Sequence, residues 1–535
     1  MKTAYANLNP ADLIIFLMEV LMMLCTRSKT LASSLVLTLL LHGCGGGSSP
    51  TGAPNTGAIS QIANGVVSGF GSVFVDGVEI EDANASVVTE NADGTLSNSV
   101  LKIGQRVRVN HDGKGTASEV IIDAAVIGSV SAINTDELTL KVAGQNIRIN
   151  NDLTIGTLTE WGGGYTGIAD VAVNDLVEVH GNPVYDTNTQ AYKVVATRIQ
   201  KMVAISSLKI NGKVMNLDTT AKKFTLNGLT VAYENTAIRP TGASLSNDLL
   251  ITLYGPTSAL SGTTFTASNL KVNRMQDSTD GNTTAQLGGL VSLLDSSTNT
   301  FEVQGVKVAM GPTTSINPVD ARVANNAYVK VSGTLSSDSS ILATNIQVRV
   351  ENTSNDLAKI KLKGVISDFV DAESFMVRGI PVDASTIDAA TACPGVTLAN
   401  DVPVQITAAQ QPNTPVVLAT SLSCRSSTDL TFRPVDGVVS TVDSTAKTFV
   451  LTSIGYTPLS VQWSDSTTFV GVTAATLNGR QVRVDGYTNA GALVARVVSV
   501  PATSQAGDDE RFQRRPNGDT SASAWQNYRT KHRHN

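Results

Sequence analysis

Histidine, aromatic residues and charged residues are all scarce in this chain. Only 5 histidines occur among 535 residues, while aromatic residues make up 5% and charged residues 16% of the sequence. Histidine is the commonest acid–base and metal-ligating side chain, so little is left for either role. The net charge of -6 also argues against nucleic-acid binding, since a protein that tracks phosphates is basic. We therefore expect no nucleic-acid partner.

Catalytic and cofactor-binding motifs are also absent from the sequence. It contains no Gly-x-Ser-x-Gly, no His-Glu-x-x-His and no phosphate-binding glycine loop. His111 and His180 are predicted to be turn residues in different segments, which does not favour an acid–base or metal pair. Glu79, Glu81 and Asp82 would attract calcium if further ligands joined them, but a lone acidic cluster is typical of a solvated face. We predict a non-enzymatic protein without a catalytic residue, a cofactor or a metal site.

A pattern of about 70 residues recurs along most of the chain. Its opening glycine is followed by a short apolar run, a turn rich in Asp, Ser and Thr, and an alternating strand such as Phe301-Glu302-Val303. A glycine turn comes next, then a strand with charged outward positions such as Arg106-Val107-Arg108-Val109, and a last strand such as Ala343-Thr344-Asn345-Ile346. The opening glycines are Gly65, Gly128, Gly212, Gly289, Gly364 and Gly437.

Five short strands without a convincing helix bury enough apolar surface only if the sheet curls and closes. We therefore predict an all-β chain that forms a tandem array of six small five-stranded β-barrels, either OB-like or SH3-like. The recurrent Phe of the alternating strand is predicted to point inward into the barrel core. The predicted repeats span residues 62–124, 125–201, 204–275, 285–351, 358–426 and 433–500.

The full pattern resembles the bacterial domain of unknown function called DUF5666. The resemblance covers roughly residues 62–500 and rests on Gly-x-Val-Ser, Phe-x-Val-x-Gly-Val, Val-x-Val-x-Gly and Ala-Thr-x-Ile. It implies a β-barrel domain of cell-envelope proteins, and it implies no reaction.

The N-terminal segment resembles the lipobox of bacterial lipoproteins. Arg27-Ser28-Lys29 precedes the apolar stretch Leu31 to Leu41, which leads into His42-Gly43-Cys44. The resemblance implies that residues 1–43 are a signal peptide, that Cys44 carries a diacylglycerol, and that its new amine receives a fatty acid such as palmitate. The alternative is a transmembrane helix, but eleven apolar residues are too few, since a span needs about 20.

Two further expectations concern the destination of the lipoprotein and the start of translation. Gly45 resembles the signal that sends Gram-negative lipoproteins to the outer membrane. A second apolar stretch, Leu13 to Met23, suggests an over-long gene start, with initiation at Met22 or Met23.

The two ends of the mature chain have the composition of disordered segments. Residues 44–61 are rich in Gly, Ser, Thr and Pro, which predicts a flexible tether. Residues 501–535 have mixed charge without apolar periodicity, which predicts a disordered tail. The basic end of this tail is either a solvated terminus or a contact for anionic lipid or lipopolysaccharide.

Four cysteines are present, and two of them, Cys25 and Cys44, belong to the N-terminal signal region. Cys393 and Cys424 remain, and both lie in the fifth repeat. An envelope compartment permits disulfides, and two lone cysteines without nearby histidines do not make a metal site. We therefore predict a disulfide between Cys393 and Cys424.

The long insertion of the second repeat holds the nearest approach to an exposed aromatic cluster. Its members, Trp161, Tyr165, Tyr185 and Tyr192, are the candidate contact for a carbohydrate or a peptide. Our first functional hypothesis is a lipid-anchored envelope protein that acts as a spacer or interaction scaffold, with an envelope protein or a glycan as its partner. The alternative is a carbohydrate- or peptide-binding surface module, and an enzyme of unrecognised type ranks third.

Overall fold

The computed structural model describes residues 61–82, 85–99, 101–273, 283–350, 359–412, 414–425, 433–452, 459–465, 467–489 and 492–500. The predicted signal peptide, Cys44, nearly all of the tether and the C-terminal tail lie outside these residues. Within them the chain is all β, as predicted, and the single α-helix described is one turn, α1, at Ala389–Ala392. No helix in the described ranges is long and apolar enough to cross a membrane.

The first three repeats contain twenty-two of the strands. They are β1 Gln61–Phe70, β2 Val73–Val75, β3 Val78–Ile80, β4 Ser86–Glu90, β5 Leu96–Asn98, β6 Arg106–His111, β7 Ala117–Ile122, β8 Val126–Asn134, β9 Thr139–Val142, β10 Gln145–Ile149, β11 Glu160–Gly162, β12 Leu176–Asp186, β13 Ala191–Met202, β14 Leu208–Lys213, β15 Met215–Asp218, β16 Lys223–Leu226, β17 Leu229–Ala232, β18 Ala237–Arg239, β19 Leu250–Gly255, β20 Leu260–Ser261, β21 Thr264–Thr266 and β22 Asn269–Val272.

The last three repeats show the same order of long and short strands. They are β23 Thr284–Asp295, β24 Thr300–Val303, β25 Val306–Asn317, β26 Tyr328–Leu335, β27 Ile341–Val348, β28 Ile360–Asp371, β29 Ser374–Val377, β30 Ile380–Asp383, β31 Pro403–Ala409, β32 Val417–Cys424, β33 Arg433–Asp443, β34 Thr448–Thr452, β35 Leu459–Gln462, β36 Thr468–Val470, β37 Gln481–Asn489 and β38 Ala492–Ser499.

The second and sixth repeats each close into a five-stranded barrel. In the second repeat β8 pairs with β9 and β12, β9 pairs with β10, and β13 joins β10 to β12. In the sixth repeat β33, β34, β35, β38 and β37 close the same circuit. The third and fifth strands of the circuit are parallel while the others are antiparallel. This Greek-key arrangement favours the OB-like form over the SH3-like one.

The fourth and fifth repeats show the same pairings within one larger sheet. The circuit recurs through β23 to β27 and through β28 to β32. In the first repeat β3 meets β7 through a single bridge between Glu81 and Thr116, and the third repeat divides its strands between two sheets. The count of six separate barrel domains therefore stays a prediction.

Local sequence explains the barrel cores and the turns. The recurrent phenylalanines are at most 1% exposed, so their predicted inward position is confirmed: Phe224, Phe301, Phe375 and Phe449. The turn aspartates cap their own turns, because each carboxylate accepts a backbone N–H two residues on: Asp218, Asp295, Asp371 and Asp443.

The repeats pack against one another, including repeats that are not neighbours in the sequence. The second and third repeats share one apolar core, and the first and fifth share another. Strand β1 joins three repeats, because it pairs in parallel with β23 of the fourth repeat and with β28 of the fifth, in addition to β6 of its own. The chain thus folds back on itself, so that outer faces of the barrels meet each other.

Candidate functional site

The structure joins Cys393 and Cys424 in a disulfide bond, with the two Cα atoms 5.1 Å apart. Cys393 follows α1 and is 1% exposed, while Cys424 ends β32. The bond ties the variable segment before the fourth strand of the fifth repeat to the last strand. Cys44, the predicted lipidation site, lies outside the described residues.

The four candidate aromatic residues form two separate edge-to-face pairs. Trp161 contacts Tyr165, and Tyr185 contacts Tyr192, with ring centroids 6.3 and 5.2 Å apart. Tyr165 and Tyr192 are only 6% and 7% exposed, and their hydroxyls donate to Asp175 and to Glu302 of the fourth repeat. The expectation of an exposed cluster is wrong for these two tyrosines, because neighbouring segments cover the insertion.

His111 and His180 are buried rather than exposed at turns. His180 lies inside β12, where its Nε2 is 2.6 Å from Glu178 Oε1 and its Nδ1 accepts a hydrogen bond from the Arg106 backbone N–H. His111 ends β6, and burial lowers the pKa of its imidazole. Both histidines stand at β-bulges, which turn a side chain away from the regular alternation.

No group of three or more His, Cys, Asp or Glu side chains suited to a metal ion occurs within the described ranges. The acidic cluster near β3 is a solvated face only in part, since Glu79 is exposed while Glu81 is half-buried. Glu79 accepts from Ser72 and pairs with Lys363 of the fifth repeat, Glu81 accepts from Ser72, and Asp82 is buried. This cluster helps to join the first repeat to the fifth.

A further chemically distinctive feature is a cavity that the sequence did not suggest. It has a volume of about 130 Å³ and lies where the first four repeats meet. Strand β6 supplies Arg106 and Arg108, and β14 supplies Lys209 and Lys213. The remaining lining residues that bear on its chemistry are Asn64, Glu90, Asp123, Tyr192, Asn211, Asn227, Thr252, Tyr254, Lys271, Asn273 and Gln304. We call this feature the junction cavity.

Asp123 connects two of the cavity cations. Its carboxylate accepts from Lys209 Nζ at 2.8 Å and pairs with Arg106. Burial would raise the pKa of Asp123, but the two cations outweigh burial and hold that pKa well below 3.8. Burial likewise acts to lower the pKa of Lys209, and Asp123 more than reverses it. Both side chains therefore stay charged at neutral pH.

Two further carboxylates are shared in the same way. Glu90 of the first repeat pairs with Lys271 and with Arg239, the latter at 2.9 Å. Glu302 of the fourth repeat does not line the cavity itself, but it contacts two residues that do. It pairs with Lys213 and accepts a hydrogen bond from the Tyr192 hydroxyl at 2.6 Å. These contacts cross from the first repeat to the third and from the fourth to the second and third.

Sequence reasoning missed this cavity because its residues look like a solvent face. Lys209, Asn211 and Lys213 alternate with apolar residues along β14, and Arg106 and Arg108 do the same along β6. Such alternation predicts that these side chains point out of their own barrels, which they do. It does not reveal that another repeat covers them.

Three segments of the chain match one domain family, described as Domain of unknown function (DUF5666). They are residues 127–200, 288–347 and 436–499, which lie in the second, fourth and sixth repeats. The match confirms the repeats and assigns no activity. A comparison with curated proteins finds no match.

One solved structure with similarity to this chain is Drosophila Unr CSD456. It is 9% identical, the match covers 43% of this chain and 98% of that chain, and the TM-score is 0.12. A similarity this weak says nothing about the function of this chain.

Proposed function

We propose that this protein is a non-enzymatic, lipid-anchored protein of the bacterial cell envelope whose repeats act as an interaction scaffold. The observation that carries the scaffold role is the pairing of β1 with strands of the fourth and fifth repeats. A spacer gains reach by keeping its repeats in line, whereas this pairing brings the first repeat against the fourth and fifth. We therefore favour the scaffold over the spacer.

The anchor part of the proposal rests on the lipobox-like order of residues 27–44 and on Gly45. Acylated Cys44 would hold the protein at the outer membrane of a Gram-negative cell. A Gly/Ser-rich segment of this length spans roughly 20 Å as a random coil, so β1 would begin that far from the lipid. An envelope protein or a glycan would then bind to the exposed surface of the repeats.

Replacing the anchoring cysteine tests the proposal. The Cys44→Ala chain should leave the membrane fraction, because acyl chains contribute about 0.8 kcal/mol per buried methylene and nothing else in the proposal binds lipid. The measurement is fractionation of envelope membranes followed by mass spectrometry of the N-terminal peptide. The matched control is Cys25→Ala, which lies before the expected cleavage and should fractionate like the wild type. Equal membrane binding by the Cys44→Ala and wild-type chains would rule out the lipoprotein.

A further inference from the structure

The cations around the junction cavity outnumber the carboxylates. Its walls and their direct ion-pair partners contain six cationic side chains, Arg106, Arg108, Lys209, Lys213, Arg239 and Lys271, and three carboxylates, Glu90, Asp123 and Glu302. The chain as a whole has a net charge of -6, so this concentration of positive charge runs against the composition. A recess between low-dielectric walls focuses such a field and attracts anions.

Arg108 is the cation without a partner. Its side chain lines the cavity from β6, and within the described ranges it makes no hydrogen bond or ion pair, while its Nε is buried. Arg108 as a whole is half-buried, and a buried donor such as its Nε is costly when it has lost water and gained no acceptor. A planar guanidinium in this position matches the two oxygens of a carboxylate or phosphate.

Two amide oxygens in the same cavity also lack a donor. Asn64 Oδ1 and Asn227 Oδ1 are buried without a hydrogen-bond partner in the described structure. Asn64 lies directly opposite Arg108 in the pairing of β1 with β6. Asn227 donates through its Nδ2 to Gln145 and keeps its oxygen free. Each of these oxygens would accept a hydroxyl or N–H group from an occupant.

The size and lining of the cavity restrict the occupant. A cavity of about 150 Å³ holds one benzene molecule, so the junction cavity, at about 130 Å³, encloses no more than one small ring, and the other substituents of an occupant would extend through its opening to solvent. Tyr192 and Tyr254 add two aromatic rings to the polar wall, a combination that also accepts the apolar face of a sugar ring.

We infer that the junction cavity binds a monosaccharide-sized anion that carries a carboxylate or a phosphate and several hydroxyl groups. Arg108 holds the anionic group, and Asn64 and Asn227 accept from the hydroxyls. This site lies between the repeats and is not part of the exposed scaffold surface. The inference therefore does not depend on where the protein is anchored.

Calorimetric titration of the full chain, purified in detergent, tests this inference. The probes are glucuronate, which offers a carboxylate, glucose 6-phosphate, which offers a phosphate, and glucose as the uncharged control. At least one of the two anions should bind with a Kd of roughly 1 mM or tighter, and glucose should bind at least tenfold more weakly. The anion that binds identifies which acidic group the site takes.

The matched variants are Arg108→Gln and Arg148→Gln. Arg148 is an exposed arginine on β10 that does not line the cavity. Arg108→Gln should weaken binding roughly ten- to hundredfold, the usual effect of losing a charged hydrogen bond, and Arg148→Gln should leave it unchanged. Asn64→Ala provides a second cavity variant if Arg108→Gln does not fold, and it should weaken binding about tenfold.

Three results would overturn the inference. They are the failure of both anions to bind the wild type, equal binding of glucose, and equal binding by the Arg148→Gln control and a folded cavity variant.

Discussion

At the scale of single residues, Asp76 is the most unusual group outside the junction cavity. It is 3% exposed at the contact of the first and fourth repeats, where it accepts from the Val66 N–H and the Tyr328 hydroxyl. Burial raises its pKa from 3.8 to about 6, although both hydrogen bonds and the nearby Lys330 act in the opposite direction. The contact between the first and fourth repeats thus contains a carboxyl that is protonated in mildly acidic conditions.

The raised pKa makes the contact less stable as pH increases. The folded state binds the Asp76 proton more tightly than the unfolded chain does, so the contribution is present below pH 3.8 and is lost as pH rises through about 6. The whole effect is about 3 kcal/mol, of which about 2 kcal/mol falls between pH 4.5 and pH 7.5.

Asp76→Asn should remove this pH dependence, because asparagine keeps the acceptor oxygen and does not titrate. Hydrogen exchange of peptides from β1 measures the opening free energy. Between pH 4.5 and pH 7.5, the opening free energy of the variant should rise by about 2 kcal/mol relative to that of the wild type.

Asp295→Asn is the control, because hydrogen bonds from Ser297 and Thr298 lower the pKa of this exposed aspartate to about 2. Stability that depends on its charge is lost only as pH falls below 3.8, outside the tested window. A difference between Asp76→Asn and wild type that stays constant with pH would contradict the buried, protonated carboxyl.

At the scale of elements, β1 is the strand on which the arrangement of repeats depends. Its first half pairs with β23 through Gln61–Asn64, and its second half reaches β28 at Gly69 and Phe70. The close approach at Gly69 requires glycine, because a Cβ there would lie 2.0 Å from the Lys361 carbonyl oxygen. Backbone atoms cannot move aside as a flexible side chain can.

Gly69→Ala should therefore separate β1 from β28 and destabilise the fold. Overpacking of this kind costs about 1–3 kcal/mol, and the loss should appear as faster hydrogen exchange in peptides from β28 and a lower Tm. Gly167→Ala is the matched control, since this glycine has extended backbone and nothing within 4 Å of the added Cβ. The control should stay within about 0.5 kcal/mol of wild type. Equal behaviour of the two variants would contradict the close β1–β28 contact.

At the scale of the whole molecule, the sixth repeat is the most separable part of the described structure. Its strands form a six-stranded sheet of their own, and its apolar cluster contains only its own residues. The first repeat is the opposite case, because its strands are continuous with those of the fourth and fifth repeats and its apolar core with that of the fifth.

Deleting residues 433–535 should leave the other repeats folded, whereas deleting residues 61–124 should not. The second deletion removes β1 and exposes the apolar surface that the fifth repeat shares with the first. Hydrogen exchange across the fourth and fifth repeats provides the measurement, with wild-type protection expected in the first variant and loss of protection in the second. Unchanged protection in both would mean that the repeats fold independently.

The local sequence determined each repeat. Alternation, glycine turns and an inward phenylalanine in four of the units predicted the strands, and in the second repeat, which has no phenylalanine, Leu140 is the buried residue of the corresponding strand β9. These features are short-range, because a barrel closes using contacts within about 70 residues. The cysteine count, with Cys25 and Cys44 assigned to the signal region, predicted the disulfide between Cys393 and Cys424.

Only the tertiary structure decided which outer faces meet. Alternation records whether a side chain points into its own barrel, and Arg108 and Lys209 are polar whether water or another repeat covers them. The pairing of β1 with β23 joins segments more than 200 residues apart through backbone groups, which leave no mark in the side-chain pattern. The junction cavity and the buried Asp76 both arise from that packing, so the sequence determined the barrels, and the contacts between them created the candidate site.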